Sequence, residues 1–369
     1  MGITEKWCPS HQIMKSLYML FAIPIIFFGC SSNQDVVMPD ANLAAAVRKA
    51  LGIGPTDPIP QNQLKALEKL YAGEKGIKDL TGLEKATGLK VLNLYKNQIT
   101  SIKPIAGLKK LTELIIYDNQ ISDITPIAGL TQLTTQLYLS GNQISDITPL
   151  ANLTQLKELN IGKNQISDIT PLANLTQLTE LHLYGNQISD TKPLKTLKQL
   201  AKLNLGYNRI SDLTPIANLT QITSLYLSNN HIKDLTELVK LTNLRSLLLG
   251  HNQISDIKPI AELSQLVYLE MQNNQVNDIT PLANLAQLTN LLLDRNQIRD
   301  IISLAELTQI KELYLSGNYI RDITPLAGLT QLTDLWIKDN PMQDMEPLQK
   351  LMKQLPDLDI DIGTPPAEN

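Results

Sequence analysis

Apolar residues recur along this chain on a fixed frame. Take Leu156 as position 1 of one unit: positions 1, 4 and 6 are Leu156, Leu159 and Ile161. The alternation at 4 and 6 predicts a short strand with one buried face. Position 9 is Asn164, whose side chain carries both a donor and an acceptor and can satisfy the backbone of the turn leaving the strand. Ile166 and Ile169 point back inward. Thr170-Pro171 then predicts an N-capping hydroxyl with Pro at the first helical position. Leu172 and Leu175, three apart, suit one turn of 3₁₀ or α helix. The Asn recurs as Asn97, Asn119, Asn142, Asn164, Asn186, Asn208, Asn230, Asn252, Asn274, Asn296, Asn318 and Asn340, always 22 residues apart except for 23 between Asn119 and Asn142. No such unit buries its apolar face alone, so the units must stack around one continuous core.

The frame L-x-x-L-x-L-x-x-N, with the wording N-x-I-x-D-I-x-P-L after it, resembles the leucine-rich repeat, and within it the bacterial internalin-type subclass. The resemblance covers roughly residues 67 to 360. It implies an α/β solenoid, curved, with a parallel sheet on the concave face and 3₁₀ or short helices on the convex face.

The ends depart from the frame. Asp40 is a good N-cap for Ala41 to Leu51, Gly52 is a stop, and helical spacing resumes from Gln61 to Leu70. Residues 40–66 thus resemble the helical N-terminal cap of internalin-like proteins, followed by a solenoid over 67–362. Leu67, Leu70 and Ala72 begin a degenerate repeat in which Lys75 replaces the Asn. One extra residue between Leu133 and Leu137 predicts a bulge. Glu237 and Ser303 replace the outer Pro and Thr191 an inward Ile, which predicts looser outer turns. Pro347 to Leu355 reads as a fuller helix, Leu355 to Ile362 as a closing strand, and 363–369 as a disordered tail.

Residues 1–30 read as a secretory signal. Lys15 precedes an apolar run from Leu17 to Phe28, too short for a transmembrane helix and ending in Gly29-Cys30. Phe-Phe-Gly-Cys resembles a bacterial lipobox, with Phe27 where that motif usually has Leu. It implies lipidation at Cys30, a polar tether over 31–39, and a lipid-anchored protein at the cell envelope or surface. Met14-Lys-Ser offers an alternative translation start. An uncleaved apolar anchor is the competing reading. Cleavage before Cys30 removes Cys8, which excludes a disulfide framework.

Composition narrows the function. A net charge of −4 and a pI near 5.7 give no basic field for nucleic acid. Four His, with His182 and His251 three layers apart, give no shared metal site, and no catalytic or cofactor motif is found. One Asp per repeat (Asp123, Asp168 and their equivalents) forms a line rather than the convergent oxygens that calcium requires, so it is read as bonding the outer turn. In a strand, residues beside the buried ones point the other way. Position 5 therefore lines the exposed sheet, and its C-terminal half reads Tyr226, Leu248, Glu270, Leu292, Tyr314 and Trp336. Tyr138 shares the row, Tyr268 sits beside it at position 3, and Tyr184 and Tyr207, with Tyr95 and Tyr117, are placed on the same surface. An apolar stripe of this extent points to a binding face for a protein partner, as the family resemblance also implies, on a monomeric chain. Stacked Tyr ladders also stabilise sheets on their own. Glycan binding, with Asn160, Asn204 and Glu270 as polar partners, and a structural spacer are the alternatives.

Overall fold

The computed structural model describes residues 34–363. Residues 1–33, with Cys30 and the start of the expected tether, and residues 364–369 lie outside the described part. Fourteen parallel strands form one sheet in strict chain order. They are β1 (Lys69–Tyr71), β2 (Val91–Asn93), β3 (Glu113–Ile115), β4 (Gln136–Tyr138), β5 (Glu158–Asn160), β6 (Glu180–His182) and β7 (Lys202–Asn204). Then follow β8 (Ser224–Tyr226), β9 (Ser246–Leu248), β10 (Tyr268–Glu270), β11 (Asn290–Leu292), β12 (Glu312–Tyr314), β13 (Asp334–Trp336) and β14 (Asp359–Asp361). Each return path from β1 to β13 carries a short 3₁₀ turn, such as Thr170–Asn174, and the last one an α-helix. Leu and Ile at the framed positions fill the space between sheet and turns and are almost wholly buried, in a single continuous core.

The Asn column holds the layers together. Asn208 Nδ2 donates to the carbonyls of Leu205 (3.0 Å) and Gly206 (3.2 Å) in its own repeat and of Leu183 (3.0 Å) in the preceding one. Its Oδ1 accepts from the N–H of Ile188, also one repeat back, at 3.0 Å. The same set recurs at Asn164, Asn230 and Asn274. Buried backbone groups at the turn are thereby paired without water.

The residue just before each Asn has positive φ, for instance Lys163 (50°), Tyr207 (55°), Arg295 (52°) and Gly317 (69°). This left-handed residue turns the chain off the sheet after only three strand residues. It strains an ordinary L-residue, and the four hydrogen bonds of the following Asn offset that strain.

Several expectations are corrected by the geometry. The first residue of the outer turn is not capped by the Thr hydroxyl; it is bonded by the Asp two positions back, the role read for the Asp column: Asp168 Oδ1 accepts from Thr170 N–H at 2.8 Å, and Asp123, Asp212 and Asp322 do the same. A carboxylate with two acceptor oxygens reaches back over this bend, where the Thr backbone is already helical. The extra residue near Leu133 is taken up just ahead of the strand, and the strand itself stays regular. Thr134 and Thr135 both donate to Thr112 O (3.3 and 3.2 Å), and β4 then pairs in register, Gln136 with Glu113. The turns lacking Pro are not loosened: Thr236–Lys240 and Ile302–Glu306 are as long as the Pro-bearing ones. Ser303 Oγ donates to Ile279 O at 3.1 Å, and the buried Thr191 hydroxyl reaches Asp212 O at 3.5 Å.

Both ends are closed. Helix α1 (Ala41–Leu51) stops at Gly52, with φ of 68°. Asp40 caps it, one oxygen accepting from Asn42 and Leu43 N–H and the other from Lys78 and Asp79 N–H, which joins the cap to the first repeat. The second helix, α2 (Gln61–Ala66), is shorter than its spacing predicts, because Lys69 to Tyr71 is drawn into β1 by pairing with β2. The described part of the expected 31–39 tether is docked: Val36 N–H donates to Ile59 O at 2.8 Å and Met38 is buried. Helix α3 (Glu346–Gln354) and β14 cover the other end.

Replacing Asn230, 5% exposed, by Ala removes these inter-layer bonds, orphans Ile210 N–H and leaves Leu205 O with Asn208 as its one remaining donor. Denaturant unfolding should show a loss of about 3 kcal/mol or more, whereas Gln275→Ala, at an exposed position, should change stability by less than about 0.5 kcal/mol. Asp168→Ala should cost about 0.5 kcal/mol, near the low end for a lost cap because the carboxylate is exposed.

Candidate functional site

The strand face divides into three zones with different chemistry. In the first, Tyr95 and Tyr117 stack with ring centroids 5.1 Å apart. Tyr95 also lies across Gly73, so closely that a Cβ there would collide with the ring. Tyr71, the position-5 residue of the degenerate repeat, is 62% exposed. It extends the position-5 row by one strand ahead of Asn93, with which it pairs.

The middle zone is polar and internally paired. Tyr138 OH donates to Glu158 Oε2 at 2.9 Å, and Gln136 Nε2 donates to the same oxygen at 2.8 Å. Burial, then the Glu158 bond, pushes the Tyr138 hydroxyl well above its ordinary range. Glu180 meets His182 at 2.7 Å and Lys202 at 3.0 Å. Burial raises the Glu180 carboxyl, but those bonds outweigh it and hold it below the usual value. Tyr184 lies over Gly162 as Tyr95 does over Gly73. Tyr138 and Tyr184 are therefore both half-buried by neighbours of their own chain.

The third zone spans β8 to β13. The parallel register places Tyr226, Leu248, Glu270, Leu292, Tyr314 and Trp336 side by side, one per strand. Tyr314 and Trp336 stack almost parallel, with centroids 4.4 Å apart and 5° between planes. Trp336 is 39% exposed; Tyr226, Leu248, Leu292 and Tyr314 are half-buried. Glu270 interrupts the apolar row but is not free, since Gln272 Nε2 (2.8 Å) and Ser228 Oγ (3.2 Å) donate to its Oε1. Tyr268 is half-buried, and burial with the nearby Glu270 and Glu312 carboxylates raises its hydroxyl. Tyr207 is not on this row: it occupies a left-handed turn position beyond β7 and is 64% exposed.

The rim of this zone is acidic. Burial raises the Tyr314 hydroxyl, and the carboxylates of Glu312, Asp334, Asp294 and Asp359 add to it. Asp294 was not singled out from sequence. Its Oδ1 accepts from Ser316 N–H at 3.0 Å, yet burial, the dominant effect, holds its carboxyl above the usual value. Among the described residues no group of three or more His, Cys, Asp or Glu side chains is placed to hold a metal ion, and no helix is long and apolar enough to cross a membrane.

Because the folded protein binds the Asp294 proton more tightly than the unfolded chain does, the ionised carboxylate opposes folding above its pKa, and the penalty fades as pH falls through that value. Asp294→Asn keeps an acceptor for Ser316 N–H and removes the charge. Thermal melts should show a higher Tm for the variant at neutral pH and a smaller difference in mildly acidic buffer.

Comparison with known proteins agrees with this architecture. A family model described as Leucine Rich repeats (2 copies) matches in overlapping pairs, from residues 87–129 through 198–240 to 308–362. Among solved structures, an internalin (inlF) from Listeria monocytogenes is 37% identical, with a TM-score of 0.85, over 91% of this chain and all of that one. The functional domain of InlJ from the same organism, described as including a cysteine ladder, is 26% identical, with a TM-score of 0.74, over 90% of this chain and 72% of that one. A leucine-rich-repeat protein of Leptospira interrogans is 25% identical, with a TM-score of 0.72, covering 81% of this chain and 85% of that one. Among curated proteins, Internalin J of Listeria monocytogenes is 41% identical over 64 residues, which is 17% of this chain and only 7% of that protein. The match thus spans a small part of that relative's length. With its repeats matched over most of its length, the chain belongs to the leucine-rich-repeat family and is a bacterial internalin-like member of it.

Proposed function

We propose that the chain is a cell-envelope protein that binds a protein partner through the C-terminal zone of its strand face, and that a lipid on Cys30 anchors it. The observation that carries the first part is the row from Tyr226 to Trp336, with its exposed Trp stacked on Tyr314. Large rings held at fixed spacing lose little entropy on binding, so a preformed surface of this kind favours affinity. The acidic and histidine groups of the middle zone already satisfy one another, which narrows the docking area to β8–β13 and makes Tyr138, Tyr184 and Tyr207 peripheral to it. The internalin-like relatives support an interaction module exported to the cell surface. The anchor rests on the sequence Phe-Phe-Gly-Cys ending at Cys30.

Crosslinking pull-down from surface extracts, with the full chain and its Tyr226→Ala, Tyr314→Ala, Trp336→Ala triple variant, tests the binding face. The triple variant should weaken capture about a hundredfold or more while keeping the parent's cooperative melt. Equal capture by both would remove the site, and saturable capture by neither would leave a structural spacer. Cys30→Ala should move the protein from the membrane fraction to the soluble fraction on cell fractionation; retention in the membrane would contradict the lipid anchor.

A further inference from the structure

At the rim of the aromatic row, between the turns that follow β11, β12 and β13, the surface is indented by a recess of about 260 Å³. Asp294, Ser316, Trp336 and Asp339 line it, with Arg295 and Lys338. The Ser316 hydroxyl is buried, the residue being 8% exposed, and makes no well-formed hydrogen bond, although it lies near enough to the Asp294 carboxylate to favour its charged form. Such orphaned polar atoms are rare in native proteins and call for a partner. Beside it the Asp294 carboxylate takes one backbone N–H, and among the described residues no cation lies within ion-pairing distance of it. Lys338 is committed elsewhere, to Asp361 at 2.7 Å. The stem of Arg295 runs across Gly317 on the recess wall, and Arg295 itself is exposed to solvent. The recess therefore combines a half-buried carboxylate that forms no ion pair and feels only the more distant charge of Arg295, a hydroxyl without a well-formed hydrogen bond and the border of an exposed indole.

We propose that this recess receives the side chain of an Arg or Lys from the partner, its cationic head on Asp294 and Ser316 and its stem against Trp336. A guanidinium or ammonium brings N–H donors for both oxygen atoms, and Trp is the ring that best attracts a cation. The wider rim has the matching sign, since Glu312, Asp334 and Asp359 surround the neighbouring Tyr314. The partner segment is thus a basic one that also carries apolar residues for the row. A cation at Asp294 also offsets the desolvation that now raises its carboxyl.

This inference rests on the docking face proposed above, and one experiment separates the two. A defined array of short synthetic peptides, with Arg, Lys, Gln, Glu or Leu at a central position flanked by apolar residues, is probed with the full chain, with Asp294→Asn and with the aromatic triple variant. Asn keeps the Ser316 N–H bond, and melts confirm that each variant folds. The full chain should prefer Arg and Lys peptides over their Gln counterparts about tenfold, and less in high salt. Asp294→Asn should lose that preference while still binding apolar peptides, and the triple variant should bind none. Peptides bound without a basic preference, or with one unchanged in Asp294→Asn, would overturn the recess assignment and leave the docking face standing. A preference for Glu would transfer the recess to Arg295. No peptide binding by the full chain would count against both.

Discussion

The fold depends on one side chain repeated in every layer, an asparagine whose amide is sealed under the turn that leaves the strand. It bonds to its own repeat and to the one before it, as Asn208 does to Gly206, Leu183 and Ile188. Hydrophobic burial supplies the bulk of the stabilisation, since the core Leu and Ile are excluded from water. Burial has no direction, however, and would tolerate layers sliding past one another. The amide fixes the register, and in doing so allows the left-handed residue before it, whether Tyr207, Arg295 or Gly317. A sharp turn at a fixed place keeps every strand to three residues and presents the same position of each repeat to solvent on the same line.

That regularity is what makes a binding surface possible. Position 5 is dispensable for packing, so its residues vary from Asn160 to Trp336 without disturbing the frame. Parallel strands bring these residues to about 4.8 Å from one another, close enough for Tyr314 and Trp336 to stack. Where neighbours are complementary, as with Tyr138 and Glu158 or Glu180 and Lys202, the face satisfies itself. From Tyr226 onward apolar side chains predominate, and an acidic rim borders them.

The solenoid, its strands, its buried Asn column and its end caps were legible because each has a local signature repeated at a fixed interval. What escaped the sequence depends on contacts between layers. Tyr184 reads as an open aromatic until it is set against Gly162, one period earlier, whose missing side chain makes room for its ring. The pairs Gly73 with Tyr95 and Gly250 with Gln272 follow the same rule, so a glycine 22 positions before a large side chain is the signal of a side chain packed on its own neighbour. The Asp column was legible as bonding the outer turn, but the hydroxyl of Thr170, a usual helix cap, does not share that role because its residue already lies inside the turn. Asp294 carries no signal in the sequence, because nothing in its neighbours along the chain announces that Ser316 and Trp336 gather around it.

The most direct test of the central claim is a photo-crosslink map on intact cells. A photoreactive residue at Leu248, in the middle of the row, should capture a discrete partner, whereas one at Gln275, on the turn away from the face, should not. Equal capture from both positions, or capture from Gln275 alone, would contradict the account.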